Sequence, residues 1–363
     1  MNCALTVLLA SLLINSPLSD SMLEPSVLNE VHHALARSEN KSMFGDLDKF
    51  KQQVKSLSAG SSLTDIALKL VSTQKSDGRW YDANTNDVTC AARYVLKHVS
   101  QTFPKIRYSV FSDHIHSISE QRGISLAEAA KYVRSLGIEG VEVWSQVRRR
   151  ELKIYTDAGL KIACVVWFPK FDLDEYDALG AAKTIKLAKD NGASSILVVP
   201  VEEKCSLENK AFAETRKRVI ERTERFAKEA AKEGVFVCVE DYDNSTSPTH
   251  NIANTEDFLR KAPSVGFVFD TGNFMPSGDD AREAMLKFAG RIRHIHLKDR
   301  DKVGKPMGKC VPFGYGVLPA AELVKTPAML WGYDMWYTLE HFGAEDMVKS
   351  LTDTMKFLKA LKK

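Results

Sequence analysis

Between Gly234 and Asp299 the chain reads GVFVCVED (234–241), VGFVFDTG (265–272) and IRHIHLKD (292–299), three short apolar runs that each finish among ionisable residues. The first two are rich in β-branched and aromatic residues and apolar almost to their ends, the composition of strands buried on both faces, while the third sets Ile292, Ile295 and Leu297 among ionisable residues. The segments between them carry charges at helical spacing, so the repeating unit is a strand and a covering helix of a parallel sheet. The same alternation extends both ways. It gives IRYSVFSDH (106–114), GVEVW (140–144), KIACVVWF (161–168) and SSILVVPV (194–201) upstream, and MWYTLEHF (335–342) downstream. Eight strands within residues 106–363 match the roughly 250 residues of a (β/α)8 TIM barrel. A doubly wound open sheet would carry a Gly-rich phosphate turn after its first strand, and FSDHIHSISEQ (111–121) has none.

Helix signals support this frame. SLAEAAKYVRSLG (125–137) opens with a Ser N-cap and stops at Gly137. The longest predicted helix covers 211–233 and ends before Gly234, and a last helix over 344–363 closes on lysines that suit its dipole. Residues 22–105 read differently, as several short helical patterns separated by Ser, Asn and Gly clusters, and are expected to form a helical extension. Ala4–Ile14 (ALTVLLASLLI) is too short to span a bilayer but has the length of a signal-peptide core. Residues 1–21 are therefore expected to be an export signal, which favours export over a cytoplasmic location, and no stable membrane association is expected.

With 44% hydrophobic and 27% charged residues, disordered and fibrous classes are excluded. A net charge of +3, spread without a basic stripe, argues against a nucleic-acid partner. Six cysteines far apart in the chain, with no CxxC pair, offer neither a disulfide framework nor a zinc cluster.

In a parallel barrel the C-terminal strand ends converge on one mouth. There the last four strands place Glu240, Asp270, His296 and Glu340 in succession. One polar residue at a strand end usually bonds loop backbone. Three carboxylates crowded together would repel one another unless a cation held them, and three carboxylates with one imidazole suit a divalent ion such as Mn2+, Mg2+ or Co2+.

These motifs resemble the sugar phosphate isomerase/epimerase superfamily, the xylose isomerase-like TIM barrels. The likeness rests on VCVED, VFDTGN, HIHLKD, the G-x-G loop PFGYGVL (312–318) and TLEHF, and covers about Ile106 to the C-terminus. It implies that Glu240, Asp270, His296 and Glu340 bind one catalytic divalent metal and that Glu240 and Glu340 form a proton-transferring pair. The implied reaction is isomerisation or epimerisation of a sugar or sugar phosphate through an enediolate. Many members carry His three residues after the sixth-strand Asp; here it is Asn273, which hydrogen-bonds but does no acid–base work. The second Glu of some ketose 3-epimerases has no counterpart in DYDNSTSPTH (241–250).

Asn273, His114, Trp167 and Lys298 are the expected substrate contacts, with Trp167 stacking on a sugar ring. Asp299 is read as a residue that orients a metal ligand, His294 as a buried, satisfied histidine, and Glu142 as a candidate for the inner part of the site. The expected partner is a small carbohydrate, and barrels of this kind often pair as homo-oligomers. Competing readings are a dehydratase or lyase on a keto-sugar or inosose, a non-catalytic sugar-binding barrel, and a three-zinc endonuclease. The last needs further His ligands, including one at position 273.

Overall fold

A computed structural model describes residues 106–172, 175–200, 207–208, 210–288, 291–324 and 335–361. The expected export signal and helical extension lie outside these residues.

Eight parallel strands close into a barrel. They are β1 (Arg107–Phe111), β2 (Gly140–Trp144), β3 (Lys161–Trp167), β4 (Ser195–Val198), β5 (Phe236–Glu240), β6 (Gly266–Asp270), β7 (Ile292–Leu297) and, after an antiparallel ribbon of β8 (Asp299–Arg300) and β9 (Cys310–Val311), β10 (Trp336–Leu339). Around the barrel the order is β1-β10-β7-β6-β5-β4-β3-β2. Every strand expected from the sequence is present. Covering helices are α1 (Ser112–Arg122), α2 (Leu126–Ser135), α3 (Arg149–Asp157), α4 (Ala178–Asp190), α5 (Ala213–Ala231), α6 (Ile252–Lys261), α7 (Ala281–Lys287) and α8 (Met347–Ala360).

The local rules hold where the sequence announced them. Ser125 closes a capping box with Glu128 at the start of α2, and Gly137 takes the left-handed backbone (φ 92°) that ends it. One difference matters for the site. The first strand stretch, read to His114, ends at Phe111 and the chain enters α1 at once, so Asp113, His114 and His116 ride on a helix.

The barrel interior holds Phe111, Cys164, Val166, Leu197, Cys238 and Val268 as one apolar cluster, with Trp144 packed against it. Strand alternation fixes the rest. Since Cys164 and Val166 face inward, Trp167 faces outward. It packs edge-on against Phe171 and Phe226 of α5, at centroid distances of 5.6 and 4.7 Å. The expected stacking of Trp167 on a sugar in the mouth is thereby corrected.

The G-x-G loop is built onto Asp299. Its carboxylate accepts from the backbone N–H of Arg300, Gly314, Gly316 and Leu318 at 2.9, 3.1, 3.0 and 3.3 Å. A Cβ on Gly316 would lie 2.2 Å from Asp299 Oδ1 and 2.3 Å from the Arg300 carbonyl, which is why glycine stands there. Asp299 thus anchors a loop and does not orient a metal ligand, which corrects the sequence reading. Asp299→Ala strands four backbone donors at a buried site and should lower unfolding stability by about 2–4 kcal/mol. Urea denaturation reads this directly, and a loss below about 0.5 kcal/mol would remove the anchoring role.

Candidate metal centre

Glu240 ends β5, Asp270 ends β6, His296 lies on β7 and Glu340 follows β10, so parallel pairing brings all four to one mouth. Each offers a ligand atom within 4.8 Å of the others'. His296 Nδ1 lies 2.5 Å from Glu240 Oε1 and 3.0 Å from Glu340 Oε2. Asp270 Oδ1 accepts from the N–H of Gly272 and Asn273 at 2.7 and 3.0 Å, whereas its buried Oδ2 makes no well-directed hydrogen bond and has only the Lys298 ammonium beside it, at 3.2 Å. That carboxylate oxygen, the shared faces of two glutamates and one imidazole nitrogen fit a divalent cation in ligand type, number and spacing.

The electrostatics agree. Burial pushes the Asp270 carboxyl well above its usual range, partly opposed by the Lys298 ammonium and reinforced by Glu340 and Glu240. Burial also raises Glu240, although the His296 charge pulls against it. Glu340 goes the other way. The cost of burial is outweighed by Lys298 and by charge and hydrogen bonding from His296, which hold it well below the usual carboxylate range.

Lys298 is closer to this cluster than a substrate-contact reading required. Its Nζ reaches Glu340 Oε1 at 2.5 Å, Asn273 Oδ1 at 2.8 Å and Asp270 Oδ2 at 3.2 Å. Asn273 in turn donates from Nδ2 to the Asp241 carbonyl at 2.7 Å. Both ends of the amide are engaged, so Asn273 fixes the ammonium against the two carboxylates.

His114 is buried on α1, and its Nε2 accepts the backbone N–H of His341 at 2.8 Å, leaving Nδ1 as its remaining polar atom. Burial lowers His114 to about 4 and His341 to about 3, so both are neutral at pH 7. The unfolded histidines, near pKa 6.5, take up protons that the folded ones refuse, so stability present above that value is lost as pH falls below it. Comparing metal-free wild type with His341→Gln isolates one such proton. Between pH 7 and 5 the wild type should lose about 2 kcal/mol more, each histidine contributing up to about 1.4 kcal/mol per pH unit. Parallel curves would refute a neutral His341.

Beside the cluster the mouth is aromatic. Phe111 meets His296 edge-on at 5.1 Å and Phe342 at 5.0 Å, and Trp144 lies 5.4 Å from Phe168. Asp113 does not stand free here: it accepts the Trp144 indole N–H at 2.6 Å. Phe168 and Phe342 remain 39% and 43% exposed, so an apolar lip borders the polar centre.

Two residues deserved more weight from the sequence. Glu142 Oε1 lies 2.6 Å from His294 Nε2 and 3.1 Å from His296 Nε2, all fully buried. Its signal was a single carboxylate inside the strand GVEVW. Asp241, beside Glu240, accepts the backbone N–H of Asp270 at 2.9 Å and so holds that strand end. Nothing in its spacing set it apart from a loop aspartate.

The profile of a family described as "xylose isomerase-like TIM barrel" matches residues 130–361. Among curated relatives, inosose dehydratase of Mesomycoplasma hyopneumoniae strain 7448 is 32% identical over 77 residues, only 21% of this chain and 26% of that protein. The strain J protein is 23% identical over 241 residues, covering 60% of this chain and 77% of the relative. Among solved structures, the probable 3-DHS dehydratase AsbF of Bacillus anthracis superimposes with a TM-score of 0.56 at 18% identity, covering 70% of this chain and 99% of that one. A xylose isomerase-like TIM barrel protein of Mycobacterium smegmatis, solved with magnesium, gives 0.54 at 16% identity over 72% and 97%. At such identities the structures speak for the fold alone.

Proposed function

The chain belongs to the xylose isomerase-like TIM barrel family, and from that premise we propose that its barrel mouth is a divalent-metal centre for proton transfer on a small carbohydrate. The family contains epimerases, isomerases and dehydratases, as its structural neighbours' names record. Glu240, Asp270, His296 and Glu340 would hold the ion. When bound, it would supply Lewis acidity, drawing electrons from a substrate carbonyl and making the neighbouring C–H easier to deprotonate.

The observation that carries the reading is the pair of glutamates on either side of His296, in surroundings that push their acidities apart. Glu340, kept as a carboxylate by Lys298 and His296, suits removal of the proton. Glu240, raised by burial, suits its return to the neighbouring carbon or to the other face of the same carbon. The outcome is aldose–ketose isomerisation or epimerisation through an enediolate. Lys298 holds Glu340 in place, and the aromatic lip excludes water from one side.

A second reading is a dehydratase acting on an inosose, favoured by curated relatives of that name. It shares the first proton removal and parts from the first reading only when a hydroxyl leaves. Incubation with ketoses, inososes and their phosphates in deuterated water, with Mn2+, Mg2+ or Co2+ supplied, tests both. Isomerase products keep the substrate's formula and carry solvent deuterium; dehydratase products lose water. A metal-loaded chain that exchanges no hydrogen across the panel would contradict both.

A further inference from the structure

We propose that Glu142, which lies outside the four-residue donor set, is the positioning carboxylate that fixes the tautomer and aim of His296, so that Nδ1 faces the centre as a lone-pair donor. The inference rests on the metal-centre reading and adds to it the residue that orients its only imidazole.

The two ring nitrogens of His296 face different surroundings. Nδ1 looks into the carboxylate cluster, whereas Nε2 lies 3.1 Å from Glu142 Oε1. An imidazole that coordinates through one nitrogen keeps its proton on the other, and that N–H, once buried, needs an acceptor. Glu142, fully buried on β2, supplies it from across the barrel.

Glu142 is itself aimed from behind. The same Oε1 lies 2.6 Å from His294 Nε2, which sits 2.8 Å from Thr338 Oγ1, and that hydroxyl is 2.6 Å from Ser109 Oγ. Strands β7, β10, β1 and β2 are consecutive around the barrel, so one hydrogen-bonded run crosses its floor and ends on the ring of His296. A carboxylate without solvent is costly to bury, and the alternating strand GVEVW has no packing need for one. Holding His296 accounts for it.

Glu142, His294 and His296 are also close enough together to be weighed as a cation site of their own. Their spacing argues otherwise, because a single oxygen serves both rings at hydrogen-bond distance while Glu142 Oε2 has no partner.

The test uses the full chain, stripped of metal and titrated calorimetrically with Mn2+, as wild type, Glu142→Gln and Glu142→Leu. Each protein is also loaded with Mg2+ for nitrogen-15 histidine NMR. Wild type should bind one ion, with the His296 Nε2–H shifted downfield by its carboxylate acceptor. Glu142→Leu should bind about 10–100-fold more weakly and lose that resonance to solvent exchange. Glu142→Gln, whose amide oxygen still accepts, should recover part of the affinity and show the resonance moved upfield. If the Leu variant fails to fold, the Gln variant decides alone. Affinities within twofold of wild type and an unmoved Nε2–H overturn the proposal, as does uptake of a second ion by wild type. A wild-type chain that binds no divalent ion overturns the metal-centre reading along with it.

Discussion

Glu340→Gln should leave the barrel folded and turnover lowered by on the order of 10^2–10^4-fold, the usual worth of a positioned proton-transfer group. The substitution keeps the side chain's shape. It removes the carboxylate charge that Lys298 and His296 hold in place at 2.5 and 3.0 Å, and with it the basic lone pair. Because Glu340 also belongs to the proposed donor set, activity is read at saturating Mn2+, so that weaker uptake does not pass for lost chemistry. Circular dichroism should not change. Turnover within tenfold of wild type, once the reaction is identified, would end the assignment of Glu340 as a proton-transferring residue.

Lys298→Met should show its largest effect on stability. The ammonium lies against Asp270 and Glu340 with only 7% of the lysine exposed. Removing one partner of such an arrangement leaves uncompensated buried charge and typically costs about 3–5 kcal/mol. The sign of the pH dependence follows. Without the ammonium both carboxyls lose a charge that lowers their pKa: Asp270 rises further above its unfolded value and Glu340 rises from below its own, so protonation costs the folded variant less than it costs the wild type. The deficit should therefore shrink at pH 4–5 and grow toward pH 7. Added Mn2+ should reduce it by binding the folded state. Urea denaturation of both proteins at pH 5 and 7, with and without Mn2+, checks all three statements. A deficit below about 1 kcal/mol at pH 7 would mean that the lysine does not compensate these charges.

The barrel was legible because each strand is a dense apolar run bounded by helix signals, a pattern set by burial on both faces and therefore local. Glu240, Asp270, His296 and Glu340 were legible for a related reason: a strand end in a parallel barrel has a known destination. What lay hidden depended on side-chain direction and on long-range partners. Trp167 sits one residue beyond an inward position, and a single step in a strand turns a mouth residue into one packed on α5. Asp299 reads like a ligand's helper beside HIHLKD, yet its partners are four backbone amides, three of them 15–19 residues away in the G-x-G loop. Glu142 meets His294 152 residues along the chain, a pairing that strand spacing alone does not announce.

Calorimetric titration of the metal-stripped chain with Mn2+ at neutral pH, repeated in buffers of different ionisation enthalpy, tests most directly whether four side chains converge on one ion. His296 bears on the expected signal. Burial opposes its charge, but Glu142 and Glu240 raise its pKa, so the ion competes with protons for this ring. The account predicts one ion per chain, release of protons on binding, affinity rising with pH, and loss of uptake in Asp270→Ala. A chain that takes up no ion, or whose uptake is the same after Asp270→Ala and Glu240→Ala, would contradict it.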